Sequence, residues 1–144
     1  MATTTAHEQA IAMLGLRATP RSAIDMVPTL RKGLPSRSLE RVATELGMSP
    51  IAVGGLLGIP SRTLARRLQE KRTFTPDESQ RVFRLSRVLA LVTSALGSVD
   101  KARHWLQTPN RVLEGQVPLE LLDTDVGADA VIEEIGRIEH GVFA

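Results

Sequence analysis

The stretch Ser49-Pro50-Ile51-Ala52-Val53-Gly54-Gly55-Leu56-Leu57-Gly58-Ile59-Pro60-Ser61-Arg62-Thr63-Leu64-Ala65-Arg66-Arg67-Leu68-Gln69-Glu70-Lys71 decides the fold. Ser49 can cap a helix with its side-chain oxygen, and Pro50 at the first helical position sacrifices no bond, because that N–H has no intrahelical partner. Val53, Leu56 and Leu57 give the helix an inner face and Gly58 ends it. Ile59 and Pro60 make a turn, Ser61 is expected to cap the next helix, and Leu64 with Leu68 at i, i+4 anchor it to a core. Two short helices joined in this way predict a helix-turn-helix from Pro50 to Lys71. A helix that enters the major groove of DNA needs an apolar inner face and a cationic outer one. Arg62, Arg66 and Gln69 fall on one outward line, with Ser61 and Thr63 at the helix start. Arg62 and Arg66 are the expected base readers, and Arg67, Lys71 and Arg72 the expected phosphate contacts. A basic surface helix in a bundle would carry the same charges. The capped helices and the turn of the right length favour the DNA reader.

Working outward, the punctuation stays helical. Leu39, Val42, Ala43 and Leu46 step by i, i+3, i+4 and i+7 before Gly47, which can close that helix in the left-handed conformation. Thr75-Pro76-Asp77-Glu78 matches a capping box and predicts the start of a long helix. Its apolar residues Val82, Leu85, Leu89, Val92 and Leu96 alternate steps of three and four until Gly97, a pattern that suits a core helix better than a two-heptad coiled-coil seam. A short helix around Val99 to Gln107, a loop from Thr108 to Val117, a helical turn at Pro118 to Leu122 and a last helix from Thr124 to Glu139 follow. Strand alternation and hairpin turns are nearly absent, so the fold class is all-α. The expected organisation is an N-terminal arm (1–35), weakly patterned, broken by Pro20, Pro28 and Pro35 and read as flexible. A helix-turn-helix domain (36–75), a long connecting helix (76–97) and a small helical module (98–144) follow it.

The 144 residues carry a net charge of only +2, but the charge is unevenly spread. From Pro60 to Arg87 eight basic residues face three acidic ones, whereas from Val88 to Ala144 four basic residues face nine acidic ones. A basic middle suits a polyanion, and an acidic end suits a basic protein surface, although solvated helix faces would show the same bias. No run approaches the roughly 18 apolar residues of a membrane span, and Met1 to Gln9 lack a signal pattern, so a cytoplasmic protein with no membrane contact is expected. Without cysteine there is no thiolate metal site or nucleophile. His7, His104 and His140 lie far apart and match no metal-ligand spacing, and Gly54, Gly55 and Gly58 match no phosphate loop. No enzyme activity, metal or cofactor is expected.

The run Ala95-Leu96-Gly97-Ser98-Val99-Asp100-Lys101-Ala102-Arg103-His104-Trp105-Leu106-Gln107-Thr108-Pro109-Asn110 comes next, then Leu113 to Thr124, then Gly127 and Ile138-Glu139-His140-Gly141-Val142. Together these resemble the toxin-binding domain of Xre/MbcA/ParS antitoxins, densely across about 95 to 143. Leu39 to Arg87, including Leu57-Gly58-Ile59 and Arg62-Thr63-Leu64, is similar to the Xre-type helix-turn-helix usually fused to it. The resemblance implies an antitoxin that covers the active site of a RES-domain, NAD-depleting toxin and represses its operon by binding operator DNA, as a homodimer within a larger toxin–antitoxin complex. Trp105 and Leu106 are expected in the core, Asn110 in shaping a turn, and Thr124 in capping the last helix. Ala128, Val131, Ile135 and Ile138 form that helix's inward stripe. By position and charge, the expected toxin contacts are Glu134, Arg137, Glu139, His140, Val142 and Phe143. A stand-alone repressor with a dimerising or ligand-sensing C-terminal domain is the alternative reading.

Overall fold

In the computed structural model, which describes residues 2–141, the chain folds around one long helix, α6 (Pro76–Leu96). The capping box forms as its residue pattern requires: the Thr75 hydroxyl oxygen accepts the Glu78 N–H at 3.2 Å, and the Glu78 carboxylate accepts the Thr75 N–H at 2.9 Å. Val82, Leu85, Leu89 and Val92 are buried, but so are Phe83, Val88 and Ala90 on the other faces. From Arg81 to Thr93 no residue is exposed. Arg81, Arg84 and Arg87 are half-buried within this stretch, and helices pack against α6 on several sides.

The first of these corrects the sequence reading. Where a weakly patterned arm is expected, α1 (Ala2–Met13) lies along α6, with Ala6, Ala10 and Ile11 buried and Leu14 buried just after it. Two alanines at i, i+4 let the backbones approach closely, yet contribute little to an amphipathic signal. α2 (Ala23–Lys32) buries Met26 against α6, and Ser22 caps it by accepting the Asp25 N–H at 3.2 Å. Pro20 lies between these helices and Pro35 after them, but Pro28 sits inside α2 on an exposed face.

The next three helices build the helix-turn-helix. α3 (Arg37–Leu46) buries Leu39, Val42, Ala43 and Leu46, the predicted stripe. Gly47, at φ +70°, closes it left-handed, with its N–H and that of Met48 donated to the carbonyls of Thr44 (3.1 Å) and Ala43 (3.0 Å). α4 (Pro50–Leu56) is capped by Ser49, whose hydroxyl accepts the Ala52 N–H at 3.2 Å. α5 (Ser61–Glu70) crosses close against it, where a Cβ on Gly54 would stand 2.5 Å from a Leu64 methyl. Ser61 does not cap α5. Pro60 holds that position, its carbonyl accepting the Leu64 N–H at 2.9 Å, and no side-chain cap bond forms.

The C-terminal part closes the other end of α6. α7 (Val99–Leu106) starts at Ser98, whose hydroxyl accepts the Lys101 N–H, and buries Ala102 and Leu106, while Trp105 is half-buried rather than central. Asn110 shapes the following loop, its side-chain oxygen accepting the N–H groups of Val112 (2.9 Å) and Leu113 (3.3 Å). A 3-10 turn (Pro118–Leu121) leads to α8 (Asp125–Glu139), capped by Thr124 on the Gly127 N–H at 3.0 Å. Arg84 of α6 holds the start of α8 through the Leu122 carbonyl (3.2 Å) and the Asp125 carboxylate. Arg103 and Gln107, at the end of α7, reach across to the last carbonyls of α3. Arg103 Nε donates to Glu45 O at 2.6 Å and the Gln107 amide to Leu46 O at 3.5 Å. A cation at a helix C-terminus is favourably placed.

Gly127 sets the distance between α8 and the 3-10 turn, because a Cβ there would stand 1.9 Å from the Leu121 carbonyl oxygen. Gly127→Ala is expected to push α8 outward and cost about 1–3 kcal/mol of stability, the usual penalty of overpacking. Thermal unfolding monitored by circular dichroism reads this as a lowered Tm; an unchanged Tm would mean that α8 gives way freely.

Candidate functional site

The outward side of α5 is a cationic surface on a helix held from behind. Leu64 is buried and Leu68 half-buried, and Ser61, Arg62, Ala65, Arg66 and Gln69 are exposed, with Thr63 half-buried beside them. Among the described residues neither Arg62 nor Arg66 has an ion-pair partner, so both guanidiniums face solvent with their donors free. The bend that presents them is pinned by Arg81, which donates to the Leu57 carbonyl at 3.1 Å and pairs with Asp77 at 2.7 Å. Sequence reasoning does not single out Arg81. Its position one turn after Asp77 at the start of α6 is the available signal.

Arg67 departs from its expected role as a phosphate contact. Its side chain is only 17% exposed, it pairs with Glu78, and its guanidinium lies 6.0 Å above the ring of buried Phe74. The Arg67 carbonyl also accepts the Ser36 hydroxyl at 3.1 Å and the Arg72 N–H at 2.9 Å. This residue fastens α5 to α3 and α6. Glu78 therefore serves twice, as capping-box partner and as counter-ion. Burial pushes its carboxyl up, but the Thr75 N–H, the Arg67 side chain, the Thr75 hydroxyl and the Arg67 charge together outweigh that and hold it below its ordinary value. Lys71 closes α5 in the left-handed region at φ +55° and is exposed, as is Arg72, which pairs with Glu70 at 2.8 Å.

At the far end of the molecule, α8 turns Ala128, Val131 and Ile135 inward, with Ile138 half-buried. Glu134 does not point outward as expected. It is buried, and its carboxylate accepts from Arg137 Nε (3.2 Å) and from a second Arg137 nitrogen (2.9 Å). Arg137 also donates to Glu133 at 3.3 Å, so its charge is engaged on both sides. A carboxylate one step off the apolar stripe is tolerated here because arginine at i+3 supplies a counter-charge. Glu139 and His140 are exposed at the helix tip. Val142 and Phe143 lie outside the described residues. The two ends of the protein thus differ: α5 offers free cations on a rigid helix, and α8 ends in a small exposed tip beside an internally neutralised cluster.

Comparison with known proteins divides the chain at the same helix. Residues 25–87 match the antitoxin Xre-like helix-turn-helix domain, and residues 89–141 match the antitoxin Xre/MbcA/ParS C-terminal toxin-binding domain. A protein of Photorhabdus laumondii named Antitoxin Xre is 37% identical over 80% of this chain and 78% of its own length. Another of that name, from Yersinia enterocolitica, is 47% identical over 60% of each chain, so the match spans three-fifths of that relative's length. A chain of the crystal structure of the M. tuberculosis MbcT–MbcA toxin–antitoxin complex superposes with a TM-score of 0.55 at 27% identity, covering 76% of this chain and 96% of that one.

The Arg67–Glu78 pair gives a pH signature. A carboxyl that titrates lower when folded adds stability that is fully present above its ordinary value of 4.5 and fades as pH falls through the lower folded value. Glu78→Gln is expected to cost roughly 1.5–3 kcal/mol at pH 7, the range for a charged hydrogen bond. In urea titrations at several pH values the gap from wild type is expected to close in the acid range. A gap that stays constant to below about pH 4 would assign the cost to packing instead.

Proposed function

We propose that this chain, which belongs to the family of Xre/MbcA/ParS antitoxins, binds and occludes a RES-domain, NAD-depleting toxin and represses its own operon by reading operator DNA with α5. The observation that carries this reading is the meeting of the two matched segments on α6: a helix-turn-helix whose outward arginines Arg62 and Arg66 have no ion-pair partner among the described residues is joined through one helix to the segment that matches a toxin-binding domain. Ser61, Arg62, Thr63 and Arg66 are the proposed groove contacts, with Lys71 and Arg72 on phosphates. A homodimer would set two copies of α5 on half-sites about 34 Å apart, one turn of duplex. On the C-terminal side, Glu139, His140, Val142 and Phe143 are the proposed toxin contacts, with Arg137 organising the helix end. A pocket that handles a dinucleotide must attract phosphates, and the acidic excess of residues 88–144 complements such a basic mouth.

Two experiments test the two halves separately. Arg66→Ala is expected to weaken binding to the promoter of the chain's own operon by about 1–3 kcal/mol, on the order of ten- to a hundredfold, with a smaller loss on scrambled duplex. Equal affinity of mutant and wild type at physiological salt would remove Arg66 from the reading surface. For the other half, co-expression with a RES-domain toxin is expected to restore growth and NAD levels, and truncation after Glu139 to abolish rescue while leaving promoter binding intact. Continued killing beside the intact chain would overturn the toxin assignment, and full rescue by the truncated chain would overturn the tail contact.

A further inference from the structure

A cleft of about 400 Å³ opens beside the C-terminal end of α5, lined among others by Arg17, Arg37, Glu40, Leu68 and Lys71. These cations come from three separate parts of the chain. Arg17 lies in the loop after α1, Arg37 is the first residue of α3, and Lys71 closes α5. The segment that follows α1 supplies one wall of the cleft, through Gly15 and Arg17. The chain passes from α1 through Gly15, whose carbonyl accepts from Arg37 at 3.4 Å, while Arg41 donates to Met13 O at 3.4 Å. All three cations are exposed, and among the described residues none forms an ion pair. Only one carboxylate, Glu40, lines the same cleft. Three unpaired cations against one carboxylate leave an uncompensated positive site continuous with the reading helix.

Geometry selects the occupant. A helix of this length spans about 15 Å, and the major groove is roughly 12 Å wide, so a helix lying in it brings an end close to a phosphate strand. The left-handed turn at Lys71 takes the chain out of α5 at that place. We propose that Arg17, Arg37 and Lys71 together form a phosphate clamp on the DNA backbone beside the groove that α5 reads, so that the N-terminal segment is part of the DNA-binding surface. This rests on the assignment of α5 as the reading helix and adds two residues, Arg17 and Arg37, that lie outside the helix-turn-helix. The clamp contributes affinity without sequence preference. Its charge is set against Glu40, which weakens it.

The test uses the full chain, a promoter duplex, a scrambled duplex of equal length and a salt series, with a pull-down of a co-expressed RES-domain toxin alongside. Arg17→Ala/Arg37→Ala is expected to weaken binding to both duplexes by the same factor and to flatten the dependence of log affinity on log salt by about 0.9 for each phosphate no longer neutralised. Arg37→Lys, which keeps the charge, is expected to retain most of that slope, and Glu40→Gln to tighten binding to both duplexes severalfold. Circular dichroism melting confirms that each variant is folded. Unchanged slope and affinity in the double variant, while Arg66→Ala still loses promoter preference, would overturn the clamp and leave the reading helix standing. A chain that binds neither duplex would overturn both. Loss of toxin binding with DNA affinity unaltered would mean that the cleft faces an acidic protein surface, and would equally overturn the proposal.

Discussion

The enclosure of α6 is the constraint on which the rest of the structure depends. Thirteen consecutive positions without an exposed residue, Arg81 to Thr93, cannot be satisfied by the helix-turn-helix alone, nor by the C-terminal helices alone. The helix-turn-helix covers one side through α3, α7 and α8 cover another, and α1 with α2 close what is left. Burying a large aliphatic side chain contributes roughly 1.5–3 kcal/mol, so exposing even part of this helix would cost a sizeable share of a domain's net stability, about 5–15 kcal/mol. The chain is therefore organised as one core with two working ends.

What could be read in advance follows from how local each signal is. The capping box at Thr75, the left-handed stop at Gly47 and the caps at Ser49 and Thr124 all involve partners within a few residues, and the stripe from Leu39 to Leu46 is set by helical spacing alone; each forms as the residue types require. Misreadings cluster where a distant partner decides. Ala6 and Ala10 are weak hydrophobes taken singly and reveal their role only against α6. Arg67 lies on the flank of α5, and Phe74 and Glu78, brought there by the fold, draw it inward. One misreading is local instead: Ser61 is a good capping residue, but Pro60 just before it holds the capping position.

The candidate contact surfaces show the same division. Residue type and helical spacing put Arg62 and Arg66 on one line, and the fold leaves both exposed. The same reasoning puts Glu134 outward, where the fold buries it beside Arg137. A carboxylate at the margin of an apolar stripe has no single preferred fate in the sequence. Its burial depends on whether a counter-ion lies within reach, and on how tightly the helix it belongs to is pressed against its neighbour. The pair it makes is a cost offset rather than a gain, since breaking one partner leaves a charge stranded in a poorly solvated place.

The hold of Arg103 and Gln107 on the last carbonyls of α3 bears on how such proteins diversify. A helix-turn-helix domain and a toxin-binding domain joined by a flexible tether could be exchanged like beads, each keeping its fold in a new partner. Here the end of one is finished by side chains of the other, and both share α6. A recombinant that cut between Arg87 and Leu89, the edges of the two matched segments, would bring in a helix end without its cap and a spine with mismatched neighbours. Sequence change is thus expected to accumulate residue by residue on the exposed ends, at positions such as Arg62, Arg66, Glu139 and His140, while the two domains stay coupled through α6.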